Sequence, residues 1–162
     1  MEVRLILGDQ LNAEHSWFEE VNDNVCYVMF EMRQETDYVK HHIQKVVAFF
    51  GAMRNFARAR EKEGHRVLYY TLDDSQNEQE LEKNLNKVIS LLGATRFAYQ
   101  LPDEFRLDRQ LQVFCKGLKI SSDAVDTDHF LTTRDEMGQF FKGKKKWVME
   151  FFYRYMRKKF DI

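Results

Sequence analysis

The chain has 162 residues and a formal net charge of −1, from 25 Lys and Arg against 26 Asp and Glu. That is the size of one domain, by a prior of roughly 100–200 residues, and it lacks the basic excess of a segment that binds nucleic acid by itself. Two cysteines, Cys26 and Cys115, exclude a disulfide framework or a four-thiolate cluster, and no apolar run reaches the roughly 18 residues of a membrane span.

The opening run Val3-Arg4-Leu5-Ile6-Leu7 reads as a buried parallel strand, since helices on both faces of such a sheet leave nearly unbroken Val/Ile/Leu stretches. It breaks at Gly8-Asp9-Gln10-Leu11-Asn12. Residues 12–24 form a polar loop carrying Trp17 and Phe18. Val25–Phe30 is a second buried strand, with Cys26 as a small buried hydrophobe, and it ends in Glu31-Met32-Arg33-Gln34-Glu35. A long helix over residues 39–63 follows, because Val46, Phe49, Phe50, Met53, Phe56 and Ala57 recur at three- and four-residue steps. Arg54, Arg58, Arg60 and Lys62 supply its expected wet side, and Gly64 its C-cap.

Residues 66–72 are the third strand. Asp73-Asp74-Ser75 opens a loop and is expected to cap a helix bearing Leu81, Leu85, Val88, Ile89 and Leu92, which Gly93 closes. Residues 95–100 are the fourth strand. Pro102, the single proline, is expected to start a helix with Leu107, Leu111, Val113 and Phe114; Gly117 ends it, and residues 118–125 form a fifth strand. Two helices over 134–141 and 146–159 make the tail. Strands alternating with helices imply right-handed βαβ units. The expected fold is α/β, a Rossmann-like five-stranded and mostly parallel sheet with helices on both faces over residues 1–133, plus a C-terminal helical tail over 134–162.

That tail does not suit a complete protein. Trp147, Val148, Met149, Phe151, Phe152, Tyr153, Tyr155 and Met156 cover nearly the whole circumference of the last helix, and such a helix is normally buried on all sides. A domain cut from a longer protein is expected, its last helix pairing with a neighbouring copy as a homodimer or poorly ordered. The N-terminus carries no secretory pattern, and a reducing, cytoplasmic setting fits.

In open α/β sheets, ligands sit outside the carboxyl ends of the strands. Gly8, Asp9 and Gln10 fall on that edge, as do Glu31 and Glu35 after the second strand. These carboxylates either hydrogen-bond the hydroxyls of a ligand or are solvated loop acids. Gly8-Asp9-Gln10 is neither a dinucleotide fingerprint nor a P-loop. His41-His42 points its rings about 100° apart on a helix, which weighs against a metal pair. Lys142-Gly143-Lys144-Lys145-Lys146 reads as a solvated turn before a helix, with phosphate contact as the lesser reading. No nucleophile elbow and no Ser-His-Asp grouping is present.

Several stretches together resemble a known family. They are Leu5-Ile6-Leu7-Gly8-Asp9-Gln10-Leu11, Glu35-Thr36-Asp37-Tyr38-Val39 with His41-His42, Ala52-Met53-Arg54 with Phe56-Ala57, and Gly64-His65-Arg66-Val67. Pro102-Asp103-Glu104-Phe105-Arg106, Phe130-Leu131 and Met149-Glu150-Phe151-Phe152-Tyr153-Arg154 complete the set. In this order and spacing the chain is similar to the N-terminal domain of the deoxyribodipyrimidine photolyase-related proteins, the iron–sulfur bacterial cryptochromes and prokaryotic (6-4) photolyases.

The resemblance implies an antenna domain that belongs with a larger helical domain bearing FAD, a 4Fe-4S cluster and the DNA-lesion site. DNA would then be met only through the full-length parent, and this segment alone would not be catalytic. It further implies 6,7-dimethyl-8-ribityllumazine at the carboxyl edge of the sheet. Gly8, Asp9, Gln10 and Glu35 would line its pocket, Phe49 would lie near the ring, and Phe30 would lie across the pocket. Carboxylates suit a ribityl chain and an apolar wall suits a flat heterocycle. Fold alone does not give function. The alternatives are a nucleotide- or flavin-binding module without light chemistry, and an interaction domain whose pocket Phe30 and Phe49 close.

Overall fold

The computed structural model describes residues 1–33 and 41–162. Strands β1 (Glu2–Leu5), β2 (Val25–Phe30), β3 (Val67–Tyr70), β4 (Arg96–Gln100) and β5 (Ser121–Val125) form one sheet in the order β3-β2-β1-β4-β5. Every pairing is parallel, as expected for an α/β Rossmann-like fold. The helices are α1 (Ile43–Lys62), α2 (Leu81–Leu91), α3 (Phe105–Gly117), α4 (Glu136–Phe141) and α5 (Met149–Phe160), with a 3-10 turn at Ser16–Phe18.

Strand alternation sorts the core into two layers. Val3, Leu5, Cys26, Val28, Phe30, Phe97 and Tyr99 face Leu81, Leu85 and Val88 of α2 and Leu111 and Phe114 of α3. Ile6, Tyr27, Met29 and Ala98 face the other way, against Phe50, Met53, Phe56 and Ala57 of α1 and against Trp17 and Phe18. Burying each such side chain contributes roughly 1.5–3 kcal/mol, so the two layers supply the main drive to fold. The winding runs outward from β1 through β2 to β3, then returns by α2 to β4 on the other side of β1. The β1–β4 boundary is therefore where the strand order reverses.

Several expectations need correction. Helix α1 starts at Ile43, where the His42 side chain accepts the Gln44 N–H; the earlier part of the expected helix, residues 39 and 40, lies outside the described residues. Arg60 is not on a wet face. It is buried, with its guanidinium over the rings of Phe18 and Phe56 and donating to Ala13 O and Glu63. Gly64, at φ +96°, ends α1 in a conformation that costs only glycine little.

Asp73-Asp74-Ser75 caps no helix. The Asp74 carboxylate accepts the Gln76 N–H in a local turn, and α2 begins later, at Leu81. Nor does Pro102 start α3, whose N-cap is Glu104, its carboxylate accepting from the N–H groups of Arg106 and Leu107. The fifth strand is shorter than expected, and its outer position lets Ser121 and Asp123 remain solvated.

The chain forms two compact units, Met1–Thr127 and Asp128–Ile162. Within the second unit, Phe140, Phe141, Phe152 and Tyr155 form a ring cluster with centroids 4.9–6.1 Å apart. Glu136 accepts hydrogen bonds from Tyr155 Oη and Lys159 Nζ. Phe152 is buried, while Trp147, Met149, Phe151 and Tyr153 are exposed. Among the described residues, no helix is long and apolar enough to cross a membrane.

Candidate functional site

The carboxyl edge is built from the residues that follow each strand. After β1 the chain turns back on itself: Gln10 N–H donates to Leu7 O at 3.1 Å, and the Gln10 Oε1 accepts the Leu7 N–H at 3.0 Å. Gln10 Nε2 reaches across the reversal point to Gln100 O at 3.1 Å. This buried carboxamide ties the end of β1 to the end of β4, so Gln10 shapes the edge with both of its polar atoms.

Gly8 is a close-approach position. A Cβ there would meet the Phe49 ring, with Cε1 at 2.8 Å, and Met53 Sδ at 2.9 Å, so the far end of the Phe49 side chain lies directly on the glycine. The contact arises because Phe49 and Met53, one helical turn apart on α1, hang over the end of β1. Gly8→Ala is expected to destabilise by about 1–3 kcal/mol through overpacking. Phe49→Ala in the same chain should recover part of that loss in urea unfolding, a coupling that adjacent sites show and distant ones do not.

Asp9 is exposed and, among the described residues, its carboxylate has no hydrogen-bond donor. Phe30 does not face Phe49. Strand alternation puts its buried ring in the α2/α3 layer, 5.5 Å from Tyr70, whereas Phe49 packs against the α1 layer on the opposite face. A pocket closed jointly by these two rings is thus not what the fold builds. Glu35 lies outside the described residues.

Glu31 sits at the end of β2 but is not an open acid. It is fully buried, and its Oε1 accepts from Arg54 Nε at 2.5 Å and Tyr69 Oη at 2.7 Å. Its Oε2 accepts from Arg54 Nη2 and the Leu72 N–H, both at 2.8 Å. Burial pushes the carboxyl pKa up, but the hydrogen bonds from Arg54, Tyr69 and Leu72 together outweigh it and hold the group below the usual glutamate range. Burial, then the bond to Glu31, raises the Tyr69 phenol, so it stays a donor. With four donors on two oxygens, Glu31 clamps β2, β3 and α1 and has little left for a ligand hydroxyl.

Beside it lies a network the sequence reading did not single out. Asn77 Nδ2 donates to Glu31 O at 2.6 Å and to Thr71 O at 2.9 Å. Asn77 Oδ1 accepts from Asn84 Nδ2 at 2.9 Å and from the Gln79 N–H at 3.0 Å. These bonds fix the β3–α2 loop against the β2 end. Near β5, buried His15 accepts the Trp17 N–H at Nδ1, and its Nε2 lies 2.9 Å from Asp126 O. That pairing makes Nε2 the protonated nitrogen, and it anchors the β1–β2 loop.

His41 and His42 serve the start of α1 separately. Lys45 Nζ donates to His41 Nδ1, while His42 caps the helix. Among the described residues, no three His, Cys, Asp or Glu side chains converge as a metal requires. Cys26 and Cys115 are free thiols whose pKa values burial raises, which leaves neither poised as a nucleophile. A shallow polar depression of about 190 Å³, lined by Arg4, Ser16, Trp17, Glu19, Glu20 and Asn22, lies under the β1–β2 loop rather than at the carboxyl edge.

The edge therefore offers a glycine cradle with an aromatic wall, and an exposed carboxylate at the end of the same turn. Residues 4–162 match the family described as deoxyribodipyrimidine photo-lyase-related protein. A (6-4) photolyase of Agrobacterium fabrum is 33% identical over 156 residues, which is 96% of this chain and 31% of that protein. The chain spans about a third of the length of that relative. With the parallel sheet in place and the match running over nearly all of its length, the chain belongs to the deoxyribodipyrimidine photolyase-related protein family.

Proposed function

We propose that this chain is the antenna-chromophore domain of a light-driven DNA-repair photolyase or cryptochrome, and that it holds a ribityl-lumazine at the carboxyl edge of β1 and β4. The observation that carries the reading is Gly8, where the missing Cβ lets an aromatic side chain rest directly on the backbone at the point of strand reversal. The residues present suit the group: Phe49 and Met53 offer an apolar wall to a flat ring, and the Asp9 carboxylate accepts hydroxyl hydrogen bonds from a ribityl chain. Gln10 and Glu31 act behind this surface by fixing the strand ends.

When bound, such a chromophore absorbs light and passes the excitation to a flavin. The protein's own task is to fix position and orientation and to keep water off the ring. FAD and a 4Fe-4S cluster belong, in this reading, to a helical domain outside residues 1–162. Cys26 on β2 and Cys115 on α3 cannot supply four thiolates. Contact with DNA is likewise assigned to the full-length protein. A closed-pocket interaction domain is the second reading, favoured by the Phe49 ring resting on Gly8.

The test is an absorption spectrum of the protein after incubation with 6,7-dimethyl-8-ribityllumazine and desalting. A retained near-ultraviolet band that Asp9→Asn weakens by about five- to tenfold in affinity supports the antenna reading, in line with the loss of one charge-assisted hydrogen bond. A protein that emerges colourless, and stays so with Phe49→Ala, contradicts it.

A further inference from the structure

Gln100 ends β4 at the reversal point, and only its backbone is accounted for. Its carbonyl accepts from Gln10 Nε2, and the strand runs on parallel to β5 with Gln100 opposite Val125. The side chain has no exposure at all, yet neither Oε1 nor Nε2 has a hydrogen-bond partner among the described residues. Leaving a buried donor and acceptor unmet costs about 1–3 kcal/mol for each, and folded proteins keep few such groups without a use for them.

Strand alternation says where the group lies. Phe97 and Tyr99 pack in the α2/α3 layer and Ala98 in the α1 layer, so Gln100 projects with Ala98 to the α1 side. In register it follows the Leu5–Tyr99 pair, beside Ile6 and just short of Gly8. The unmet carboxamide is thus on the same face and at the same edge as the glycine cradle and the Phe49 ring.

A primary carboxamide presents an acceptor beside a donor. Its complement is a lactam or imide edge, a carbonyl next to a ring N–H, which it meets through two parallel hydrogen bonds. We infer that Gln100 is a specificity-determining residue that reads the carbonyl/N–H edge of a planar pyrimidinedione-type heterocycle bound over Gly8. The inference rests on the ligand site proposed above and adds which end of the ring points inward. The heterocycle edge goes to Gln100 and the polyol outward to Asp9. Phe49, partly exposed and touching Gly8 by the far end of its side chain, is the group that turns aside.

Fluorescence titration with three probes decides the matter: 6,7-dimethyl-8-ribityllumazine, 6,7,8-trimethyllumazine, which has the same ring without the polyol, and riboflavin, which has the same edge on a larger ring. Gln100→Met should fold with an unchanged or raised melting temperature, since it removes an unmet amide. It should weaken both lumazines by the same factor, about ten- to a hundredfold for two hydrogen bonds. Asp9→Asn should weaken only the ribityl form.

Gln100→Glu, equal in shape but lacking the N–H donors, should also lose binding, and it decides the case if the methionine variant fails to fold. Binding by Gln100→Met as tight as by the unaltered chain overturns the inference and makes the carboxamide a structural group met by buried water. If the unaltered chain takes riboflavin and refuses both lumazines, and Gln100→Met abolishes that, the lumazine reading falls and the role of Gln100 stands. Binding of none of the three overturns both.

Discussion

Glu31→Gln is expected to lower the free energy of unfolding at neutral pH by about 2–4 kcal/mol, the range for disrupting a buried ion pair with one half-exposed partner. The amide nitrogen would face one of the donors that Glu31 now satisfies, from Arg54, Tyr69 or the Leu72 N–H. Because the carboxyl pKa of Glu31 is lower in the fold than in the unfolded chain, its stabilisation is complete above the ordinary glutamate value of about 4.3. It is lost as the pH falls through the depressed one. Urea unfolding of the two proteins should therefore show a wide gap at pH 7 that narrows in acid. A gap that stays constant with pH would mean that the carboxylate's charge contributes nothing to the clamp.

Asn77→Asp should cost as much or more, about 3–5 kcal/mol at pH 7, although it exchanges a single NH₂ for oxygen. The Asn77 side chain gives both its hydrogens to carbonyls, those of Glu31 and Thr71, and takes both its acceptor bonds from Asn84 and Gln79. A carboxylate would turn a second oxygen, with charge, toward two carbonyl oxygens. Its pKa would then rise, so this variant should regain stability relative to the parent as pH falls, when the protonated acid can donate to one carbonyl. Asn77→Ala lacks that recovery. Thermal unfolding of the two variants at pH 4 and pH 7 separates charge repulsion from simple loss of bonds.

Both variants act on groups whose importance was unevenly legible in the sequence. Strands β2 and β4 are legible because they lie inside a covered sheet and carry the continuous apolar runs Val25–Phe30 and Phe97-Ala98-Tyr99. The same continuity hides which residue faces which helix layer, and so Phe30 was expected opposite Phe49. A half-solvated strand would have displayed the alternation openly; a doubly buried one does not.

Asp9 and Glu31 also look alike in sequence, as acids just past an apolar strand. Only distant residues separate them: Arg54 on α1 and Tyr69 on β3 claim Glu31, and no donor among the described residues reaches Asp9. Helix starts fell where side-chain caps compete. Asp74 satisfies a local turn, and α2 waits for Leu81.

Two polar residues inside apolar patterns carry further signals. Asn84 falls with Leu81, Leu85 and Val88 on one helical stripe, so a polar residue inside an apolar face marked a buried network. Gln100 closes the otherwise apolar run Phe97-Ala98-Tyr99, at the strand end where α/β sheets bind ligands. The helical stripe of α1 displays Phe50, Met53, Phe56 and Ala57 in its spacing, but charge alone assigns Arg60 on the same stripe to solvent. Its stem and guanidinium instead lie on aromatic rings.

The most direct test of where a chromophore sits is amide hydrogen exchange with and without saturating 6,7-dimethyl-8-ribityllumazine. Slowed exchange over residues 7–12, at Gln100 and Leu101 and around Phe49 is the predicted result, because those amides surround the glycine cradle at the β1–β4 boundary. Protection confined to residues 16–22 of the β1–β2 loop, with the carboxyl edge unchanged, would contradict it and move the ligand to the polar depression beside Arg4 and Trp17.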